Sequence, residues 1–457
     1  MLKTIELGIY NNLQRTIRNS MKKLLLVFYI ASASLFAQNA NLTLKQSLEI
    51  GIKNSKDLII SKAKLVSSDA QVSAANSQML PQLSFTANYT RLSNVPPFEV
   101  ALPFLPQPIV VSPTILDNYN LRLSLQQPLF TGFRLLSLKN AAKSNYNASK
   151  TDYSKAINEV AWKIQNGFWN YYKAQLNVNV FNENLAQIKQ HLEDTKNFLA
   201  NGVATKNDLL KLEVQYSNVK LQKIDAENQL DIARAAFNQA IGLPLEANTQ
   251  IDPEQIKVEQ SDLNYQNLLT EANENRNEIK SLEFRLNAST DLLKAAEAGW
   301  YPSVYLTGDY MYNKPNQRFI PAINQFKDTW DVGVTLSWSL WNWGYTSSQT
   351  TVAEQNKIET ETSLSQLKDA INIEVYQNYL VFKRSYDKVE VSKLGVQQAE
   401  ENYRIIQEKY NTQVASSTDL IDAETSLLQA KTNYNNSLTE YELAKVQLDK
   451  SVGKKIY

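Results

Sequence analysis

Residues 80–90 read Leu80-Pro81-Gln82-Leu83-Ser84-Phe85-Thr86-Ala87-Asn88-Tyr89-Thr90, and the pattern returns as Tyr301-Pro302-Ser303-Val304-Tyr305-Leu306-Thr307-Gly308-Asp309-Tyr310. In each stretch a proline is followed by strict alternation. Leu83, Phe85, Ala87 and Tyr89 fall on one side, with Gln82, Ser84, Thr86, Asn88 and Thr90 on the other. A period of two predicts a β-strand with one apolar and one polar face. A single such strand fits a half-buried soluble sheet as well as a membrane barrel.

The repetition extends well beyond the strands. Ala75 to Pro81 matches Ala296 to Pro302 at an offset of 221, which also relates Thr86 and Tyr89 to Thr307 and Tyr310. Further along the offset becomes 211. Leu121, Leu123 and Leu125 match Val332, Val334 and Leu336; Val203-Ala204 matches Val414-Ala415; Asp208-Leu209 matches Asp419-Leu420; Gly242 matches Gly453. Helices resemble one another by chance, but constant offsets across strands, turns and helices indicate duplication. The expected organisation is an N-terminal extension and signal peptide (1–37), a first repeat (38–243), a linker with Pro244 and Pro253 (244–261) and a second repeat (262–457).

Prolines delimit the helices. None lies between Pro128 and Pro244, and none follows Pro321, so both stretches are free to run as unbroken helix. Long helices are expected at about 135–200 and 347–411, each roughly 100 Å at about 1.5 Å per residue. Shorter helices are expected at 44–78, with Thr43 as N-cap, and at 206–242. The last helix carries a heptad seam: Leu420, Leu427, Tyr434, Tyr441 and Leu448 beside Ala423, Ala430, Ser437, Ala444 and Ser451. Large knobs beside small holes predict close lateral helix packing. The first repeat carries the same seam from Leu209 and Leu212 to Phe237 and Ala240, interrupted by Lys223.

Composition excludes whole classes of chemistry. The 457 residues contain no cysteine and one histidine, His191. Disulfides, thiolate metal sites and thiol catalysis are therefore absent, no cofactor or metal is called for, and an enzyme is not expected. The plain reading of His191 is a solvated residue on a long helix. A net charge of +1 makes no case for nucleic acid. Met21-Lys22-Lys23 followed by the apolar run Leu24–Phe36 and Ala37 reads as a signal peptide, with residues 1–20 an overlong start. No later stretch has the apolar length of a membrane helix. Export is expected, and β-strands are the expected means of crossing a membrane.

The second strand of each repeat alternates too, Leu121, Leu123 and Leu125 against Arg122, Ser124 and Gln126, copied as Val332, Val334, Leu336 and Trp338 against Gly333, Thr335 and Ser337. Aromatics gather about the strand ends: Trp330, Trp338, Trp341, Trp343 and Tyr345, as at a membrane interface. Four strands cannot close a membrane barrel, which needs about eight or more. Copies must therefore share one, and three copies give twelve strands and a conducting bore.

Leu42-Thr43-Leu44, Leu80-Pro81-Gln82-Leu83-Ser84, Tyr301-Pro302-Ser303-Val304 and Gln127-Pro128-Leu129-Phe130-Thr131-Gly132 together resemble the TolC-type outer-membrane efflux proteins, over nearly the whole mature chain. The copy of the last motif is altered to Ser339-Leu340-Trp341-Asn342-Trp343-Gly344. The resemblance implies a mainly α fold with a membrane β-barrel. Long coiled-coil helices would form an α-barrel in the periplasm, and four strands per chain would join a 12-stranded barrel in the outer membrane of a homotrimer. It implies an exit duct of a tripartite efflux pump, with a periplasmic adaptor protein and an inner-membrane transporter as partners.

By the same resemblance, Asn201-Gly202-Val203 and Thr412-Gln413-Val414 are adaptor-docking tips. Gln413 departs from the family's glycine. Asp419 and Asp422, three apart on one helix face, would form carboxylate rings at a periplasmic gate, with Tyr410 and Asp208 in closing contacts. The alternative for Asp419 is N-terminal capping. Lys211 stands where the first repeat would carry the counterpart of Asp422. The proline-rich segment Pro96–Pro113 is expected to be an extracellular loop, mobile rather than folded over the mouth. The rival functions are a protein-secretion duct of the same fold and a secreted coiled-coil scaffold without a pore.

Overall fold

The computed structural model describes residues 41–457 except 102, 105, 113, 254, 255 and 261; the signal-peptide reading lies outside the described residues. The chain falls into two compact units. One holds the described residues up to Ile59, with Lys155–Arg276 and Ile371–Tyr457, and the other holds Ile60–Ser154 and Asn277–Ala370. No described helix is long and apolar enough to cross a membrane.

The second unit contains the main sheet. Strands β1 (Gln82–Arg91), β4 (Asp117–Thr131), β5 (Ser303–Lys314) and β6 (Lys327–Ser337) pair antiparallel in the order β1-β4-β5-β6. The pairing register carries the alternation across all four strands. Leu83 lies opposite Leu125, Leu125 opposite Gly308, and Gly308 opposite Val332. Phe85, Leu123, Tyr310 and Trp330 form the next row. The alternate rows are polar, such as Ser84, Ser124, Asp309 and Asp331. Arg122 pairs with Asp309 and Arg318 with Asp331. Large apolar side chains, among them Phe85, Trp330, Val332 and Leu336, stand exposed on the apolar face. Among the described residues β1 and β6 each have one free edge.

Two further strands fall in the proline-rich segment. β2 (Phe98–Val100) and β3 (Ile109–Ser112) form a separate hairpin where a plain loop was expected. Val100 lies opposite Ile109 and Glu99 opposite Val110, so β-branched residues pair here despite the neighbouring prolines.

The helices are α1 (Leu44–Asn54), α2 (Lys56–Ser77), α3 (Arg134–Ala200), α4 (Lys206–Ile241), α5 (Tyr265–Asn275), α6 (Asn277–Glu297), α7 (Tyr345–Asn411) and α8 (Ser417–Ser451). Both long helices, α3 and α7, run 67 residues. Thr43 caps α1 in a reciprocal capping box with Gln46. The expected single helix over 44–78 is broken at Ser55, which adopts an extended backbone and whose hydroxyl accepts from Leu58 N–H. Arg276, 221 residues later, makes the same break between α5 and α6. Neither break carries the proline or glycine that announces one, so period alone does not reveal them.

The other unit packs its helices through the heptad seam. Leu420, Leu427, Tyr441 and Leu448 are buried beside Ala423, Ser437, Ala444 and Ser451. On α4, Leu209, Leu212, Val219 and Phe237 are buried, while the stretch around Lys223 is not. Two glycines end the second helix of each hairpin in the left-handed conformation, Gly242 at φ 77° and Gly453 at φ 82°. Each presses on the end of a short helix. A Cβ on Gly242 would meet Asn54 Cβ at 2.7 Å, and one on Gly453 would meet the Asn275 carbonyl carbon at 2.7 Å. Gly453→Ala adds left-handed strain to a backbone clash. It is expected to destabilise this unit by about 2 kcal/mol or more, read as a lower thermal midpoint, whereas Gly395→Ala, in open space on α7, leaves the midpoint unchanged or raised.

Candidate functional site

The two inter-helix turns, 201–205 and 412–416, are built alike. Each long helix ends in a Schellman cap. Val203 N–H donates to Phe198 O (2.8 Å) and Gly202 N–H to Leu199 O (3.0 Å); Val414 N–H donates to Lys409 O (2.8 Å) and Gln413 N–H to Tyr410 O (2.9 Å). The left-handed residue is Gly202 in the first turn (φ 72°) and Gln413 in the second (φ 66°). Gln413 therefore holds a conformation that glycine adopts without strain.

Each following helix opens with a reciprocal capping box. Thr205 N–H and hydroxyl donate to the Asp208 carboxylate at 3.0 and 2.6 Å. Ser416 N–H and hydroxyl donate to Asp419 at 2.9 and 2.7 Å. These hydroxyl contacts hold both carboxyl groups below the usual aspartate range. The capping reading of Asp419 is thus realised, and the carboxylate stays exposed.

The two turns are tied together. Ser417 Oγ donates to the second oxygen of Asp208 (2.7 Å), and Lys211 Nζ donates to Thr418 Oγ1 (2.9 Å). Asp422 is exposed on the same face of α8 as Asp419. Tyr410 is buried, its hydroxyl 2.5 Å from Thr195 Oγ1 and its ring 6.0 Å from that of Phe198. Asn201, Val203, Thr412, Gln413 and Val414 are exposed at the turns, and Gly202 has open space around its Cα. Asp208, Tyr410, Asp419 and Asp422 therefore gather at one end of the unit with both turns.

The aromatic set belongs to the other unit. Trp330 lies within β6; Trp338 follows it by one residue, and its indole N–H donates to Trp300 O (3.2 Å). Trp341 and Trp343 pack edge to face at 5.7 Å, and Tyr345 opens α7. All five stand exposed. Eight positions separate Trp330 from Trp338, which is about 27 Å along an extended chain and roughly 20 Å in height at the usual tilt of a barrel strand.

One group differs from its expected place. His191 is 2 % exposed and not solvated. Its Nε2 lies 2.9 Å from the Tyr403 hydroxyl and 3.2 Å from Glu424 Oε1, and the Glu424 side chain is 0 % exposed. The contacts come from α7 and α8, more than 200 residues away. The only sequence signal is a glutamate next to the Ala423 seam position.

The sequence matches the family described as "Outer membrane efflux protein" over residues 48–243 and 268–454. The chain belongs to the outer membrane efflux protein family. It is 22 % identical over 445 residues to the outer membrane protein TolC of Vibrio cholerae, covering 95 % of this chain and 96 % of that protein. Its fold resembles the outer membrane protein VceC of Vibrio cholerae (TM-score 0.76, 18 % identity, 91 % of this chain and 97 % of that one). It likewise resembles the CmeC outer membrane channel of Campylobacter jejuni (TM-score 0.76, 18 % identity, 91 % and 89 %). This outer membrane efflux protein is a channel and not an enzyme, with its helical part in the periplasm.

The turn chemistry separates two substitutions. Asp208→Ala removes a cap and the bond to Ser417 and is expected to lower stability by about 1–2 kcal/mol. Gln413→Gly relieves left-handed strain and is expected to raise it by about 1 kcal/mol. Denaturant midpoints followed at the helical signal read both.

Proposed function

We propose that three copies of this chain close one barrel and serve as the passive exit duct of a tripartite pump for small molecules, fed by a periplasmic adaptor and an inner-membrane transporter. The observation that carries this reading is the main sheet. It has one continuous apolar face, one polar face and free edges on β1 and β6. Hydrocarbon tolerates neither an unpaired edge nor an exposed polar face. Pairing β1 of one copy with β6 of the next satisfies both, with the polar face turned to a wet bore. Three copies supply twelve strands.

The two halves of the chain are proposed to be copies of one unit, the first spanning 38–243 and the second 262–457, joined by 244–261. The equal long helices, the breaks at Ser55 and Arg276 and the left-handed caps at Gly242 and Gly453 support this. Trp330, Trp338, Trp341, Trp343 and Tyr345 are assigned to the lipid interfaces.

The tip end carries the gate in this reading. Asp419 and Asp422 of three copies form two stacked carboxylate rings, which attract cations and oppose close approach of the helix ends. Asp208 and Tyr410 stiffen the same end through Ser417 and Thr195. The exposed turn residues Asn201, Gly202, Val203, Thr412, Gln413 and Val414 meet the adaptor.

Conductance across planar lipid bilayers tests the proposal. Full-length protein is expected to form discrete channels blocked by millimolar divalent cations. Asp419→Ala with Asp422→Ala is expected to raise the conductance severalfold and weaken the block. A protein that inserts without conducting defeats the duct reading, and unchanged conductance and block in the variant defeat the gate assignment.

A further inference from the structure

Near the two turns, α3, α7 and α8 meet around a small apolar core of Tyr403, Tyr410, Leu420, Ala423 and Leu427, edged by Phe198, Ala399, Ile406 and Ala415. Two ionisable side chains sit inside it. His191 reaches in from α3 and Glu424 from α8, 3.2 Å apart, and Tyr403 of α7 closes the third side. The His191–Glu424 contact is close in distance but not aligned as a hydrogen bond. Among the described residues neither Glu424 carboxyl oxygen nor His191 Nδ1 has a hydrogen-bond partner. The duct has no use for such a pair, and a full set of apolar residues would pack the seam more simply.

The electrostatics of this core depend on one proton. Held as a carboxylic acid beside neutral imidazole, or as imidazolium beside carboxylate, one proton leaves the pair without net charge. Removing it leaves a lone carboxylate, and adding a second leaves a lone imidazolium. Either is an uncompensated charge in an apolar space, which is strongly unfavourable.

The surroundings offer no remedy. Asp194 on α3 acts on His191, Asp208 on α4 acts on Tyr410, and Glu424 acts on both tyrosines. All three are acids. Tyr403 and Tyr410 on α7 stay protonated, because burial raises both, Tyr403 to about 12. Of the cations on α7 and α8, Arg404 pairs with Glu401 and Glu408, and Lys431 with Glu183 and Glu400.

We propose that His191 and Glu424 form a proton-operated latch at the tip, in which a single shared proton holds α3, α7 and α8 packed and its loss releases them. The latch rests on the reading of this end as the gate of the duct.

The direction with pH follows from the two sites. Desolvation raises Glu424 from 4.5 to about 8 and lowers His191 from 6.5. In a loosened tip both groups return to their ordinary values. Just below pH 6.5 the packed tip holds its proton on Glu424 and the loosened tip on His191, so the two hold about the same number and packing is insensitive to pH there. From 6.5 to about 8 the packed tip holds one proton more, and each pH unit shifts the balance up to about tenfold toward the loosened tip.

Hydrogen exchange of residues 417–430, corrected for the intrinsic pH dependence of exchange, reads the latch in the full-length protein whether or not it conducts. Wild type is expected to lose about tenfold in protection between pH 6.5 and 8.5. Glu424→Gln, and the apolar double replacement His191→Leu with Glu424→Leu, are expected to hold flat over that range. Channel opening in bilayers is expected to rise with pH in wild type only. Wild-type protection that does not change with pH, or the same loss in either variant, overturns the latch. A protein with the expected exchange profile but no conductance at any pH keeps the latch and removes the duct.

Discussion

Backbone hydrogen bonding at the edge of a sheet governs this molecule. A strand edge in water is hydrated at little cost, but in hydrocarbon each unpaired N–H and C=O is several kcal/mol out of balance. Four strands with an apolar face, a polar face and two free edges make a sheet that neither water nor lipid accommodates alone. Apart from a bulge at Pro128–Phe130, its register carries the apolar rows from β1 to β6, so no single substitution defines the face. The proposed association with further copies rests on that geometry before any functional consideration enters.

The helical part obeys a different constraint. Its seams alternate large and small residues, so neighbouring helices approach closely along a great length, and polar side chains settle local geometry where the seams end. Capping boxes at Thr205 and Ser416 fix where α4 and α8 begin. Asp208 then joins one turn to the other through Ser417. The carboxylate chemistry at this end thus serves two purposes, starting helices and placing negative charge at an exposed end. In the proposed latch the buried His191–Glu424 pair adds a third, since its neutrality rests on one proton.

Much of this was legible in the chain itself. Proline-free stretches located α3 and α7 to within two residues, and period-two alternation located the four main strands, because both signals are local and strong. The breaks at Ser55 and Arg276 were not legible, since neither Lys53-Asn54-Ser55-Lys56 nor Glu274-Asn275-Arg276-Asn277 contains a residue that forbids helix. Their extended backbone is imposed by packing, with Gly242 against Asn54 and Gly453 against Asn275. The β2–β3 hairpin hid among prolines. His191 read as solvated because its partners lie on helices more than 200 positions away, and a lone histidine on a mixed helix carries no mark of burial. Asp419 was legible as acidic and as a cap, and the structure places it in the cap while leaving its charge exposed.

The central claim is that β1 of one copy completes the sheet of the next through β6. The chain has no cysteine of its own, so a single cysteine placed on β1 and another scanned along β6 report that contact without background. The account predicts oxidation in the outer membrane to covalent dimers and closed trimers at one register of the scan. Only monomers at every register, or a bond formed within one chain, would contradict it.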